Sequence, residues 1–408
     1  MTPRISMILT FVLIIGCFFS NSCDVNRNAH VSPADRGACW YKRGNYDRAI
    51  ANFTEALNIV PDDAEMYFNR GAAWYAKGDP ERAIADYSKA LKINPLYVDV
   101  YQNRGTAWIS KGNFDKAITD YRSALKLDPH SAMAYCGLGN AWVRKGDLEQ
   151  SITYYSKALE NNPRYVEAYL NRGISWYEKG YLDHAIVDYT AILEINPMFS
   201  KAYASRGNAW RKKGDYDQAI ADYTEALRID SRSSKVYVNR GNAWYSKGNL
   251  DNAISDYTDA LMINPRDGKA YANRGDAWYQ KRNIRSAVLD YYNALDIHKN
   301  YIRIYNNLAW ILATCPDESY RNGSEAFKLA KKAIDLESNP FTMGTLAAAY
   351  AEIGQFKEAV ITQKKAIDLL KMQSGHNKID EFEKRLSFYE KNQPWREKNV
   401  KEGKGVCP

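Results

Sequence analysis

In residues 237–265, YVNRGNAWYSKGNLDNAISDYTDALMINP, apolar and small positions recur three and four places apart, as Tyr237, Gly241 and Trp244 and then as Ile254, Tyr257 and Leu261. Such spacing buries one face of an α-helix. The stretch therefore predicts two amphipathic helices joined by a turn. Lys247 suits the negative end of the first helix, and Gly248 supplies a left-handed cap. Asn249 can accept from the free N–H groups that open the second helix. One residue resists the pattern: Arg240 is charged, yet it stands beside Gly241 where the first helix has to pack.

The pattern returns every 34 residues. Trp40, Trp74, Trp108, Trp142, Trp176, Trp210, Trp244 and Trp278 mark it, and a fixed period of this size is the signature of a stacked repeat array. One copy carries Tyr101, Gly105, Trp108, Gly112, Ala117, Tyr121, Ala124 and Pro129 in order. This series resembles the tetratricopeptide repeat, over roughly residues 30–370. The resemblance implies an all-α, right-handed superhelical solenoid of about ten helix-turn-helix repeats. Tryptophan, alanine and tyrosine at these places are expected in the core, not as a base-stacking ladder. Gly137–Leu138–Gly139 lies inside a helix with no strand before it, so it reads as packing and not as a phosphate loop.

Eight regular units fill residues 30–299, and two divergent units fill 300–370. In the eighth, Arg282 stands where the cap glycine belongs and Lys299 where proline belongs, which predicts a softer junction. The ninth has extra residues in the loop from Thr314 to Gly323. Phe382, Leu386 and Tyr389 form one helical stripe, read as a capping helix over 371–392. The polar stretch 393–408 reads as a disordered tail.

Arginine holds the seventh place of most units, and sixteen residues later stands an acid or amide. The pairs are Arg70 with Asp86, Arg104 with Asp120, Arg172 with Asp188, Arg206 with Asp222, Arg240 with Asp256 and Arg274 with Asp290; Arg36 faces Asn52. Where leucine replaces arginine at Leu138 and Leu308, the counterparts become Tyr154 and Leu329. Places that change together within one chain imply contact. A bidentate pair would fix how adjacent helices slide, so these arginines are architectural.

Composition adds an address and few reactions. Apolar residues make up 45% of the chain, enough for a buried core, and the net charge of +8 is modest for 408 residues. The six cysteines include no C-x-x-C pair, so spacing gives neither a disulfide framework nor a zinc site. The first 22 residues combine Arg4 with an apolar run from Met7 to Phe19, too short to span a bilayer comfortably and suited to a signal peptide. Ile14–Ile15–Gly16–Cys17 resembles a bacterial lipobox, with Cys23 as a second lipidation candidate. Simple secretion and an uncleaved anchor are the alternatives. All three place the chain in the cell envelope or outside the cell, and lipidation predicts a membrane-anchored lipoprotein facing the periplasm.

The resemblance further implies that first helices line a concave groove for peptide segments or protein surfaces. Groove places in the first half carry Glu65, Asp99, Glu167 and Glu178 against Arg144. In the second half they carry Lys201, Arg211, Lys212, Lys235, Lys269 and Arg303 against Asp276. The groove is thus expected to be acidic first and basic later, with an acidic protein segment as partner. The family's clamp for a terminal carboxylate has matching residue types at Asn208, Lys212, Asn239 and Lys235, and at Asn242, Asn273 and Lys269. Asn239 and Asn273, however, extend a ladder through Asn69, Asn103 and Asn171 that suggests a structural origin. The five histidines share no register, and no G-x-S-x-G, H-E-x-x-H or nucleotide loop occurs. The reading is a non-enzymatic scaffold without cofactor, metal or nucleic acid. Its alternative is a substrate-recruiting or non-catalytic subunit of an enzyme complex, glycosyltransferase-like or in an envelope or secretion assembly.

Overall fold

The computed structural model describes residues 31–372 and 376–397; the segment read as a signal peptide, Cys17, Cys23 and residues 398–408 lie outside them. Among the described residues there are 21 α-helices, one short 3-10 turn and no strand. The chain divides into two compact units at Ala209 and Trp210. In the first, helix pairs run Pro33–Lys42 with Tyr46–Ile59, Ala64–Ala76 with Pro80–Ile93, Val98–Ser110 with Phe114–Leu127, Ala132–Lys145 with Leu148–Asn161, and Val166–Glu178 with Leu182–Ile195. These are repeats 1–5. Helix Ser200–Lys213, which contains the division, and Tyr216–Ile229 form repeat 6. The second unit continues with Ser234–Ser246 and Leu250–Ile263, Gly268–Gln280 and Ile284–Ile297, Ile302–Thr314 and Gly323–Leu336, and Pro340–Glu352 and Phe356–Met372 as repeats 7–10. The capping helix is His376–Tyr389; residues 371 and 372 belong to the helix before it.

Repeats 2–8 each bury one tyrosine, and repeat 1 buries Phe53 at the same place. Tyr87, Tyr121, Tyr155, Tyr189, Tyr223, Tyr257 and Tyr291 are at most 2% exposed, each worth roughly 1.5–3 kcal/mol of burial. The space for the ring comes from a helical glycine in the partner helix: a Cβ on Gly139 would stand 2.4 Å from Tyr155, and one on Gly241 would stand 2.7 Å from Tyr257. This settles the Gly137–Leu138–Gly139 run as packing. The tryptophans differ from expectation: those from Trp40 to Trp278 are half-buried. One face of the indole joins the core and the other carries a cation, as with Arg82 lying 3.8 Å from the Trp74 ring centroid.

The arginines answer the question raised by Arg240. Its Nε and Nη2 donate to the Asp256 carboxylate at 2.9 and 2.7 Å, while Nη1 donates to Thr224 Oγ1 of the preceding repeat at 3.0 Å. Arg70, Arg104, Arg172 and Arg274 repeat the arrangement on Asp86, Asp120, Asp188 and Asp290, with Thr54, Ser88, Ser156 and Thr258 as the hydroxyl partners. Arg206 reaches Thr190 in the same way. Arg36 donates to Asn52 and recovers a carboxylate from Glu55. Leu138 is buried in a dry cluster with Tyr154 packed against it. The pairing is therefore a three-residue bridge across two repeats.

Positive φ appears where the turn demands it. Gly248 has φ 78°, and Arg282, at the same place of repeat 8, is forced to 63°. Within its unit, the junction between Ile284–Ile297 and Ile302–Thr314 is the most sparsely packed.

Candidate protein-interaction groove

Within each unit, successive first helices touch one another, as do Val98–Ser110 and Ala132–Lys145, or Ser234–Ser246 and Gly268–Gln280. The first-helix side is therefore the inner face of each stack. A row of polar side chains braces it from below. Asn140 accepts from Tyr155 Oη at 2.7 Å and from Asn171 Nδ2 at 3.0 Å; Asn242 does the same for Tyr257 and Asn273 at 2.7 and 2.9 Å. These asparagines are committed to the scaffold, as the ladder suggested.

In the first unit, burial pushes the carboxyls of Glu65, Asp99 and Glu167 above their ordinary values. Lys201 stands near Glu167 and pulls its carboxyl back toward ionisation. Thr106, Met133, Cys136 and Glu167 line a small cavity of about 60 Å³ here, the room of about two waters.

In the second unit the basic row is shorter than expected. Arg303 is ion-paired with Asp276 of the preceding repeat, which also accepts from Tyr291 Oη at 2.8 Å. Its charge is spent locally, because Asp276 lies one repeat back on the same face. Arg211 is half-buried, and Lys212 is exposed. Lys235 and Lys269 hold the same place in adjacent repeats, are exposed, and among the described residues make no ion pair.

A second set of cations escaped the sequence reading. Lys77, Lys111 and Lys145 cross to Asp47, Glu81 and Asp115 of the preceding repeat at 2.5, 2.6 and 2.7 Å, and Lys247 and Lys281 cross likewise to Asp217 and Asp251. The acids are largely exposed, so solvent screens each pair and these bridges add little to stability.

The stretch read as the start of the tail also departs from expectation, because residues 394–397 are packed. After Tyr389 the chain reverses through Asn392 at φ 55° and returns along the inner face of repeats 10, 9 and 8. Trp395 meets the Phe388 ring edge-on at 5.1 Å. Arg396 pairs with Glu352 at 2.6 Å, and Glu397 accepts from Tyr279 Oη at 2.5 Å and Trp310 Nε1 at 3.3 Å. The physical reason is partnership: half-buried Trp395 has an apolar wall to cover, and each charge meets a complement.

Among the described residues there is no cluster of three or more His, Cys, Asp and Glu placed to hold a metal ion, and no helix long and apolar enough to cross a membrane. Family models described as Tetratricopeptide repeat match residues 41–97, 103–166, 143–198 and 234–267, and one described as TPR repeat matches 207–248, together more than half of the chain. The chain belongs to the tetratricopeptide repeat family. The crystal structure of MamA is 32% identical over 40% of this chain and 96% of its own, with a TM-score of 0.37. That of YrrB, described as a TPR protein with an unusual peptide-binding site, is 23% identical over 48% and 97%, with a TM-score of 0.38. A tetratricopeptide repeat protein from Parabacteroides merdae is 18% identical over 60% and 97%, with a TM-score of 0.46. No curated protein matches.

Proposed function

We propose that this tetratricopeptide repeat chain is a non-enzymatic scaffold that captures acidic, extended protein segments on the inner face of its second unit. One observation carries the reading. Lys235 and Lys269 recur at the same place of neighbouring repeats, exposed and, among the described residues, without a carboxylate partner. Side chains one repeat apart match a strand with acids at intervals, and Lys212 adds a third charge on the same side. Like-signed charges lining a wall raise the encounter rate with an anionic segment. Each exposed contact contributes under about 1 kcal/mol, so affinity is modest and falls as salt rises. The scaffold is exported by residues 1–22 and tethered to the membrane of the cell envelope through Cys17, or through Cys23.

The test is a titration with a labelled peptide of alternating glutamate and serine. The wild-type chain binds it with an affinity that drops from about 50 to about 300 mM salt. The Lys212→Glu/Lys235→Glu/Lys269→Glu chain, with unchanged helicity, does not. Equal binding and equal salt dependence in the two chains would make the basic row a solvated face and end this reading.

A further inference from the structure

In a regular repeat the turn satisfies the last carbonyls of the first helix. Lys247, Gly248 and Asn249 N–H groups donate to Ala243, Tyr245 and Trp244. Repeat 9 has lost that glycine turn to its longer loop. Its C-cap is Cys315, whose N–H donates to Ile311, and the loop returns Asn322 N–H to Leu312 only. The carbonyls of Ala313 and Thr314 are left facing the inner side, and helix ends cannot leave such acceptors buried without donors. Here the donors come from another part of the chain: Arg396 Nη1 to Ala313 at 3.2 Å and Glu397 N–H to Thr314 at 3.0 Å. The guanidinium also sits at the negative end of helix Ile302–Thr314.

Apart from Trp395, whose ring meets Phe388 of the capping helix, the segment's other contacts fall on the ninth, twelfth and thirteenth places of the repeats, which face the groove. Tyr279 and Ala313 occupy the twelfth place of their repeats, Trp310 the ninth, and Thr314 and Glu352 the thirteenth. Glu397 spans the sparsely packed junction of repeats 8 and 9 by joining Tyr279 to Trp310. Glu352, held from the other side by Arg321 at 3.1 Å, presents its carboxylate to Arg396. Main-chain acceptors, an aromatic wall, one acid for a base and two donors for an acid together make a binding site. Its present occupant reads Trp395–Arg396–Glu397.

We propose that the groove over repeats 8–10 is a docking site for an extended aromatic–arginine–acid segment of a partner, and that the chain's own residues 395–397 occupy it as a built-in competitor. This deepens the scaffold reading but uses different residues from the lysine row, so either can fail alone. A tethered segment competes at an effective concentration in the millimolar range. A partner therefore needs the same chemistry and a tighter fit, or a local abundance that outcompetes the tether.

The probe is a fluorescent peptide with the sequence of residues 393–400, QPWREKNV, titrated against full-length protein. The Trp395→Ala/Glu397→Gln chain is expected to bind it at least about tenfold more tightly than wild type, because the competitor is gone. Adding Tyr279→Phe and Glu352→Gln to that chain is expected to reverse the gain. A peptide with alanine for its tryptophan and arginine is expected not to bind. Arg396→Glu opens the site, and Arg396→Lys, which keeps a positive charge facing Glu352, leaves it closed, which guards against a variant that merely misfolds. Hydrogen exchange over 302–372 reports folding in each case. Lost protection with no gain in peptide capture would mean that the segment is only a structural staple, and the proposal falls. Concentration-dependent dimers of the wild type that vanish in the Trp395→Ala/Glu397→Gln chain would place the segment in a second copy and overturn the assignment in cis.

Discussion

Replacing Arg240 with alanine should cost repeat 7 about 3 kcal/mol, and the geometry sets that figure. The substitution strips two hydrogen bonds from a carboxylate that is 3% exposed. Bonds to charged groups contribute about 1.5–3 kcal/mol each, and deleting one member of a buried pair costs about 3–5 kcal/mol. The Arg240 side chain is 18% exposed, so water reaches the site once it is gone, which argues for the lower end. The double change Arg240→Leu/Asp256→Tyr copies the solution of Leu138 and Tyr154 and should recover most of the loss, since apolar replacement of a buried pair is often neutral. pH gives a second signature. Burial holds the Asp256 carboxyl above its ordinary value even though Arg240 pulls it down. A carboxyl raised in the folded state stabilises the fold as pH falls through that raised pKa and opposes it above. Removing Arg240 raises it further, so the deficit of Arg240→Ala narrows as pH falls, whereas that of the Leu/Tyr chain, which has no carboxyl at this place, widens. Hydrogen exchange over residues 216–297 resolves the local cost that a whole-array melt would blur. Single and double changes that add within about 0.5 kcal/mol would show no coupling and refute the account.

Tyr87 and Tyr155 occupy the same place, yet Tyr87 Oη is buried without a partner because Ala72 stands where Asn140 receives Tyr155. Tyr87→Phe should leave stability unchanged or raise it by about 1 kcal/mol, while Tyr155→Phe lowers it by about 1 kcal/mol; the reverse order in thermal unfolding would contradict this. Metabolic labelling with a fatty-acid probe should mark the wild type and fail after Cys17→Ser. Label that survives that change and disappears in Cys23→Ser moves the site, and no label at all leaves simple export.

Much of this was legible because each repeat restates its neighbour. The period, the helix ends and the arginine–aspartate pairing could be read since eight copies vary around one solution, and Leu138 with Tyr154 exposed the contact by changing together. The hydroxyl third of the bridge was missed: Thr224 lies sixteen residues before Arg240 and belongs to another repeat. Counting charges by place also misjudged Arg303, because the acid that neutralises it is 27 residues upstream. Composition misread residues 394–397, whose partners lie far back at Tyr279 and Trp310. A tryptophan after a proline in an otherwise polar stretch was the available signal.

The three-part arginine bridge has a consequence for how such a chain can be lengthened or shortened. Its parts belong to two neighbouring modules, so a module is exchangeable only if it brings both an arginine for the one before and a hydroxyl for the one after. Cutting out residues 234–267 would bring Thr224 against Arg274, a match already used by Thr224 with Arg240. Cutting out residues 132–165 would instead set Arg122, which stands where the hydroxyl belongs, against Arg172. Two guanidiniums would then share one seam with a single aspartate. Recombination between copies is thus permitted at some seams and barred at others, and Leu138 marks a barred one.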